Sequence, residues 1–216
     1  MKLANLITSA CLASALIVAP ACKKQEDVPA ASSTAPGSSA IPSVSASSKP
    51  DANTDHITVL AHHKERKPTD PVRINFEKFR VVKADFDPQK VDGGKATIEI
   101  DLSSFHTDSE ERDEHLKSPA YLDVAKLATA TITIDNVKQK AGTTYTADAT
   151  VGAHGATKTF PITFEVIERK DNSIRIKGEH TFARADFGVG TDPSQNPEEQ
   201  VGTDVTIEML LTIART

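Results

Sequence analysis

The chain has 216 residues, with 30 acidic against 25 basic side chains and a formal net charge of −5. That length suits one substantial domain, and the mildly acidic balance argues against a nucleic-acid partner, which would need a basic stripe. Both cysteines, Cys11 and Cys22, lie near the N-terminus, so the rest of the chain can form neither an internal disulfide nor a thiolate metal site.

Residues 1–22 read as an export signal. Lys2 gives a short positive start, residues 3–18 are largely apolar, and no further charge comes before Lys23. The run is short for a membrane-spanning helix and has signal-peptide proportions. Two exits fit. Ala19, Pro20 and Ala21 form an A-x-A site for ordinary cleavage. They also precede Cys22, a thiol placed where a bacterial lipoprotein is acylated, although Ala19 replaces the usual Leu three residues earlier. Cys22 is the expected lipidation site, with simple cleavage as the alternative. Lys23 is no strong inner-membrane retention signal, so the expected location is the periplasm, tethered to the outer membrane, or otherwise the exterior. Residues 23–55 are rich in Ser, Ala and Pro and show no period of 2 or 3.6. Such a segment buries too little apolar surface to offset its ordering entropy and is expected to be a disordered linker.

From residue 56 to 216, alternation dominates. Ile57, Val59 and Ala61 share one parity. Residues 72–82 carry Ile74 and Phe76, then Phe79 and Val81, a parity change that predicts a bulge near Glu77 and Lys78. Ile98, Ile100 and Leu102 alternate with Glu99 and Asp101. Ala130, Ile132 and Ile134 alternate with threonines, and Tyr145 to Val151 alternate before a glycine-rich turn. Phe160 to Val166 follow, with Pro161 near the strand start. Ile174 and Ile176 come next, and Val205, Ile207, Met209, Leu211 and Ile213 close the chain. Period-2 patterning of this kind marks antiparallel sheet that is apolar on one face and wet on the other. The sequence predicts about eight strands, with helix confined to residues 109–126. Short turns favour an up-and-down arrangement, and closure into a barrel covers the apolar face and removes the edges. Eight strands enclose room for side chains or one slender ligand. A two-sheet sandwich is the alternative.

Four runs in order, TDSEERDEHLKSPAYLDVAK, AHGATKTFPITFEV, FARADFGVG and VGTDVTIEMLLTI, resemble the YceI-like family of exported bacterial proteins over about residues 56–215. The resemblance implies an eight-stranded lipocalin-like barrel, an elongated apolar cavity for polyisoprenoid or similar long lipids, and no catalytic apparatus or cofactor. The chain departs from the family pattern at Tyr121–Leu122 and at Lys126–Leu127–Ala128. By their inward parity Phe76, Phe79, Ile98, Ile100, Ile132, Phe164 and Met209 are expected to line the cavity, and the resemblance implies that Arg184 of the R-x-D-F-G run lies near a ligand head group. Bland readings compete. Arg112, Asp113 and His115 sit among glutamates in a solvated cap, with Leu116 turned inward and Arg112 paired to a loop carboxylate. His62 and His63 are strand neighbours on opposite faces, which argues against a metal site. The alternative function is a surface interaction module with a filled barrel and no ligand.

Overall fold

The computed structural model describes residues 50–51, 53–64, 67, 69–191 and 199–216. The expected signal, Cys22 and nearly all of the linker lie outside the described residues. The elements are β1 (His56–His63), β2 (Val72–Phe76), β3 (Phe79–Asp87), β4 (Lys90–Asp101), β5 (Phe105–His106), α1 (Glu110–Leu116), β6 (Thr129–Ala141), β7 (Thr144–Ala153), β8 (Ala156–Arg169), β9 (Ser173–Ala183) and β10 (Val201–Ala214). The strands form one sheet in the order β3-β4-β6-β7-β8-β9-β10-β1-β2-β5. Every pairing is antiparallel.

The count is ten where the sequence predicts about eight, because two long strands are broken. Glu77 and Lys78 separate β2 from β3 at the parity change, and their N–H groups donate to the carbonyl (3.3 Å) and hydroxyl (3.0 Å) of Ser104. Opposite them a 3₁₀ turn, Leu102–Ser104, separates β4 from β5. Asp101 caps that turn by accepting from the Ser103 hydroxyl and N–H. The Ser103 hydroxyl, with the N–H beside it, holds the Asp101 carboxyl below its ordinary range. The pairs β2–β3 and β4–β5 are therefore the two arms of one bent hairpin, and both ends of the strand order fall in it. The sheet curls back on itself as a result. After β10, Thr216 donates its N–H to the Ala84 carbonyl (3.0 Å) and accepts the Ala84 N–H on its hydroxyl (3.0 Å), which ties the chain end to β3.

The inward parity forms the core. Ile98 and Ile100 of β4, Ile132 and Ile134 of β6, Phe164 and Val166 of β8, and Met209, Leu211 and Ile213 of β10 are all buried. Each such side chain contributes about 1.5–3 kcal/mol. Val205 is buried too, and Ile207 is partly buried, so the last strand faces inward as its alternation predicts. At the end carrying the β3–β4, β6–β7 and β8–β9 turns the interior is filled. Phe86, Val91, Val137 and Phe164 leave only about 30 Å³ between them, the share of roughly one water.

Helix α1 begins at Ser109, whose hydroxyl accepts the Arg112 N–H, with three acidic residues in the first turn. Arg112 pairs with Asp108, and Leu116 packs onto the core. Two 3₁₀ turns, Leu102–Ser104 and Arg184–Phe187, fall outside the helical window that the sequence predicts. The β7–β8 hairpin turns on His154 and Gly155, both at positive φ (48° and 75°), as a tight two-residue turn requires. Two ladders stop short: β4–β6 ends at Ala96↔Ile134, at the filled end, and β8–β9 ends at the cavity end. Strands β8 and β9 pair from Arg169↔Ile174 only as far as Phe164↔Gly178. The expectation that closure removes every edge holds everywhere along these two strands except this upper stretch.

Candidate functional site

At the end opposite the filled one, the barrel contains a cavity of about 610 Å³. Ligand pockets usually measure about 300–1,000 Å³. Its wall comes from the inward parity of the strands: Ile57, Val59 and Ala61 of β1, Ile74 and Phe76 of β2, Ile100 of β4, Val151 of β7, Phe182 of β9, and Val205 and Ile207 of β10. Leu116 of α1, Tyr121, Leu122 and Phe187 form its outer end. The strand-borne wall is apolar, so an aliphatic chain placed against it is stabilised by about 25 cal/mol per Å² removed from water.

Of the polar lining groups, Arg184, Thr191, Glu199 and Tyr121 are committed to one another, while His62, His63, Arg112, His115, His154 and Gln200 also border the cavity. Arg184 is 5% exposed. Its Nε donates to the Gly202 carbonyl (2.7 Å), Nη1 to Val189 (2.7 Å), and Nη2 to Thr191 (2.6 Å) and Val201 (3.0 Å). Nη2 also lies 3.5 Å from the Glu199 carboxylate. Glu199 accepts from the Val201 N–H (3.0 Å), the Thr191 N–H (3.2 Å) and the Thr191 hydroxyl (3.1 Å). Its side chain is 4% exposed. The Tyr121 hydroxyl points at the same carboxylate from 3.4 Å. Arg184 thus brackets the start of β10 and the segment after β9. Gly190 sits at φ 68°, and a Cβ there would overlap the guanidinium, so only glycine fits. The Gly190 N–H donates to the Ala120 carbonyl (2.8 Å), which joins this bracket to the segment after α1.

Burial pushes the Glu199 carboxyl up, but the N–H groups of Val201 and Thr191, the Thr191 hydroxyl and Arg184 together hold it below its ordinary value of 4.5. Burial, and then the Glu199 charge, push the Tyr121 phenol up. Burial holds the His180 imidazole down. Because Glu199 is the stronger acid in the fold, its stabilising contribution is complete above pH 4.5 and drains away as pH falls through the folded value. The thermal midpoint of the wild type should therefore fall on acidification below 4.5, and Glu199→Gln should flatten that part of the profile. Parallel profiles for the two proteins would show that Glu199 titrates normally.

The structure distributes the predicted lining residues unevenly. Phe76 and Ile100 line the cavity, and Arg184 lies at its mouth. Ile98, Ile132 and Met209 are buried in the core without lining the cavity, and Phe164 belongs to the filled end. Phe79 is partly buried beside the strand break. Leu116 turns inward as expected, while Ile57, Val59 and Ala61 of β1, Ile74 of β2, Val151, Ile207 and the capping Tyr121 are cavity lining that the sequence did not single out. Their parity was legible, but their height in the barrel was not. Among the described residues no group of three or more His, Cys, Asp or Glu side chains converges as a metal site would need.

Fold and cavity together define a class: an antiparallel, lipocalin-like barrel with an apolar compartment inside. Residues 50–213 match the YceI-like domain, and the chain belongs to that family. Curated relatives include UPF0312 proteins from Pectobacterium atrosepticum, 30% identical over 112 residues, and Pseudomonas syringae pv. tomato, 32% identical over 131 residues. The first match covers 50% of this chain and 58% of the relative; the second covers 57% and 66%. The chain thus spans less than two thirds of the length of these relatives. Among solved structures it is similar to Burkholderia cenocepacia BcnA, with a TM-score of 0.64 and 21% identity over 74% of this chain and 96% of that one. It is also similar to the Campylobacter jejuni YCEI protein, with a TM-score of 0.59 and 18% identity over 72% and 90%. A polyisoprenoid binding domain from Saccharophagus degradans gives a TM-score of 0.57 and 15% identity over 75% and 94%. At these identities the structural likeness concerns the fold.

Proposed function

We propose that the protein is an exported, membrane-anchored carrier that holds a long apolar ligand, a polyisoprenoid or similar lipid, inside its barrel for transport or storage. The observation that carries this reading is the 610 Å³ apolar cavity. A filled interaction module would not keep such a volume, since protein interiors close to near-crystalline density. The Saccharophagus degradans neighbour, described as a polyisoprenoid binding domain, supports the choice of ligand class. The polar mouth and apolar interior suit an amphiphile with its tail inside.

Native mass spectrometry followed by lipid extraction tests the reading directly. Two neighbouring residues of opposite parity sharpen it. Ile100 lines the cavity, whereas Glu99 points outward to Arg80 at 2.7 Å. In a fluorescent-lipid displacement assay Ile100→Trp should weaken binding about tenfold or more, while Glu99→Ala should bind like the wild type. Equal affinity in two folded variants, or no long-chain lipid bound at all, would remove the carrier function.

The anchoring part of the proposal rests on the apolar run and on the A-x-A-C ending at Cys22. An acyl chain adds about 0.8 kcal/mol per buried CH₂, so several chains on one cysteine hold a protein firmly. Labelled fatty acid should enter the wild type and not Cys22→Ala. Equal soluble release of both forms without label would mean ordinary cleavage.

A further inference from the structure

The wall of the barrel is not uniform. Strand β8 is laddered to β7 along its whole upper part, from Ala153↔Ala156 onward, and β9 is laddered to β10 as far as Asp204↔Ala183. Between β8 and β9 themselves the register stops at Phe164↔Gly178. Continued, it would set Ile162 opposite His180 and Phe160 opposite Phe182, but no such pairs form. Pro161, which has no N–H to give, lies in this stretch, as expected of a strand edge. Gly178 stands at the fork, where a Cβ would press on the Phe164 Cβ at 3.2 Å.

Above the fork, side chains close the seam in place of backbone hydrogen bonds. Phe160 stacks on Phe182 with centroids 5.7 Å apart and meets the His180 ring at 5.1 Å. Phe187 meets Phe182 edge-on at 5.4 Å. On the outside one exposed ion pair, Lys158 to Asp186 at 3.7 Å, spans from β8 to the turn after β9. Phe182 and Phe187 also line the cavity, so the seam leads straight into it.

We propose that the upper β8–β9 seam is a side port, through which the apolar tail of a long-chain amphiphile slides in and out between the strands. Opening it breaks no ladder bond. It needs ring rotations at Phe160 and Phe182, release of a screened surface pair and, at the top, of the hydrogen bond between His154 Nδ1 and the Phe187 carbonyl (2.8 Å). Parting β7 from β8, or β9 from β10, would break a continuous ladder, and freeing the loop bracketed by Arg184 would strip a buried guanidinium of its partners. A side port also lets a tail leave a lipid surface without full exposure to water. This inference rests on the carrier reading above.

The test is kinetic and uses the full chain with Cys11→Ser and Cys22→Ser, so that only an introduced pair can oxidise. Thr163→Cys with Glu179→Cys places thiols on the first position beyond the last rung, both on exposed outward residues. Uptake and release of pyrene-labelled palmitate are followed by stopped flow beside equilibrium affinity. The oxidised staple should slow both rates at least about tenfold and leave Kd within about twofold, and reductant should restore them. Lys158→Ser, which only removes the outer clamp, should speed exchange about threefold or more, and its rates decide alone if the staple does not form. Unchanged rates in proteins that still bind the probe would overturn the port and leave the carrier reading standing. A wild type that takes up no probe would overturn both.

Discussion

Leu211→Asp is expected to unfold the domain at ordinary temperatures. Leu211 is 1% exposed and sits on β10 opposite Ile176 of β9, deep in the filled half of the barrel. The substitution loses roughly 1.5–3 kcal/mol of apolar burial. It also strands a carboxyl among apolar neighbours, which costs several kcal/mol more whether the group stays charged or takes up a proton. The sum is comparable to the roughly 5–15 kcal/mol by which such domains are stable. Leu211→Met, which keeps volume and polarity, should cost less than about 1.5 kcal/mol. Thr163→Asp, on an exposed outward position, should stay within about 0.5 kcal/mol of the wild type. Urea denaturation of the three variants orders them. A Leu211→Asp protein with a wild-type midpoint would mean that this face of β10 meets water.

The second large effect is expected at Arg184. Arg184→Ala removes the partner of a carboxylate that is 4% exposed and leaves the carbonyls of Val189, Thr191, Val201 and Gly202 without their donor. Breaking one side of a buried pair costs about 3–5 kcal/mol. Arg184→Lys keeps the charge but lacks the planar fork that reaches four carbonyls, so it should lose most of the same stability. Arg184→Met combined with Glu199→Gln should cost clearly less than the two single changes added together, since neither partner is then left charged and alone. This series separates two roles. If Arg184 served mainly to meet a ligand head group, Arg184→Ala would fold at nearly wild-type stability and lose affinity. If it is a bracket, stability falls first. Additive single changes, or a cost below about 1 kcal/mol for Arg184→Ala, would contradict the bracket.

Much of this was legible along the chain. Alternation at Val205, Ile207, Met209, Leu211 and Ile213 fixes which face of the last strand turns inward, because successive side chains on a strand must point to opposite sides. The parity slip between Phe76 and Phe79 marked the break at Glu77 and Lys78, since a change of face needs an extra residue out of the ladder. The helical window of residues 109–126 contains α1, and the cap Ser109 stands at its first position. The run R-x-D-F-G, together with the three other motifs, was enough to bring the family into view.

Three features needed the tertiary structure. Ile98 and Ile100 share one strand and one face, yet only Ile100 borders open space, because what lies across the barrel at each height depends on strands far away in sequence. Arg184 looks like a free cation in a sequence. Its partners at 189, 191, 199, 201 and 202 become partners only when the chain after β9 folds back to start β10, and that places four carbonyls around one guanidinium. The unfinished β8–β9 ladder is likewise absent from the pattern, since Phe160 and Ile162 alternate as regularly as Phe164 and Val166. Periodicity records which way a side chain points, a property of the local backbone. How far two strands stay together is decided by the curl of the whole sheet and by what packs inside it.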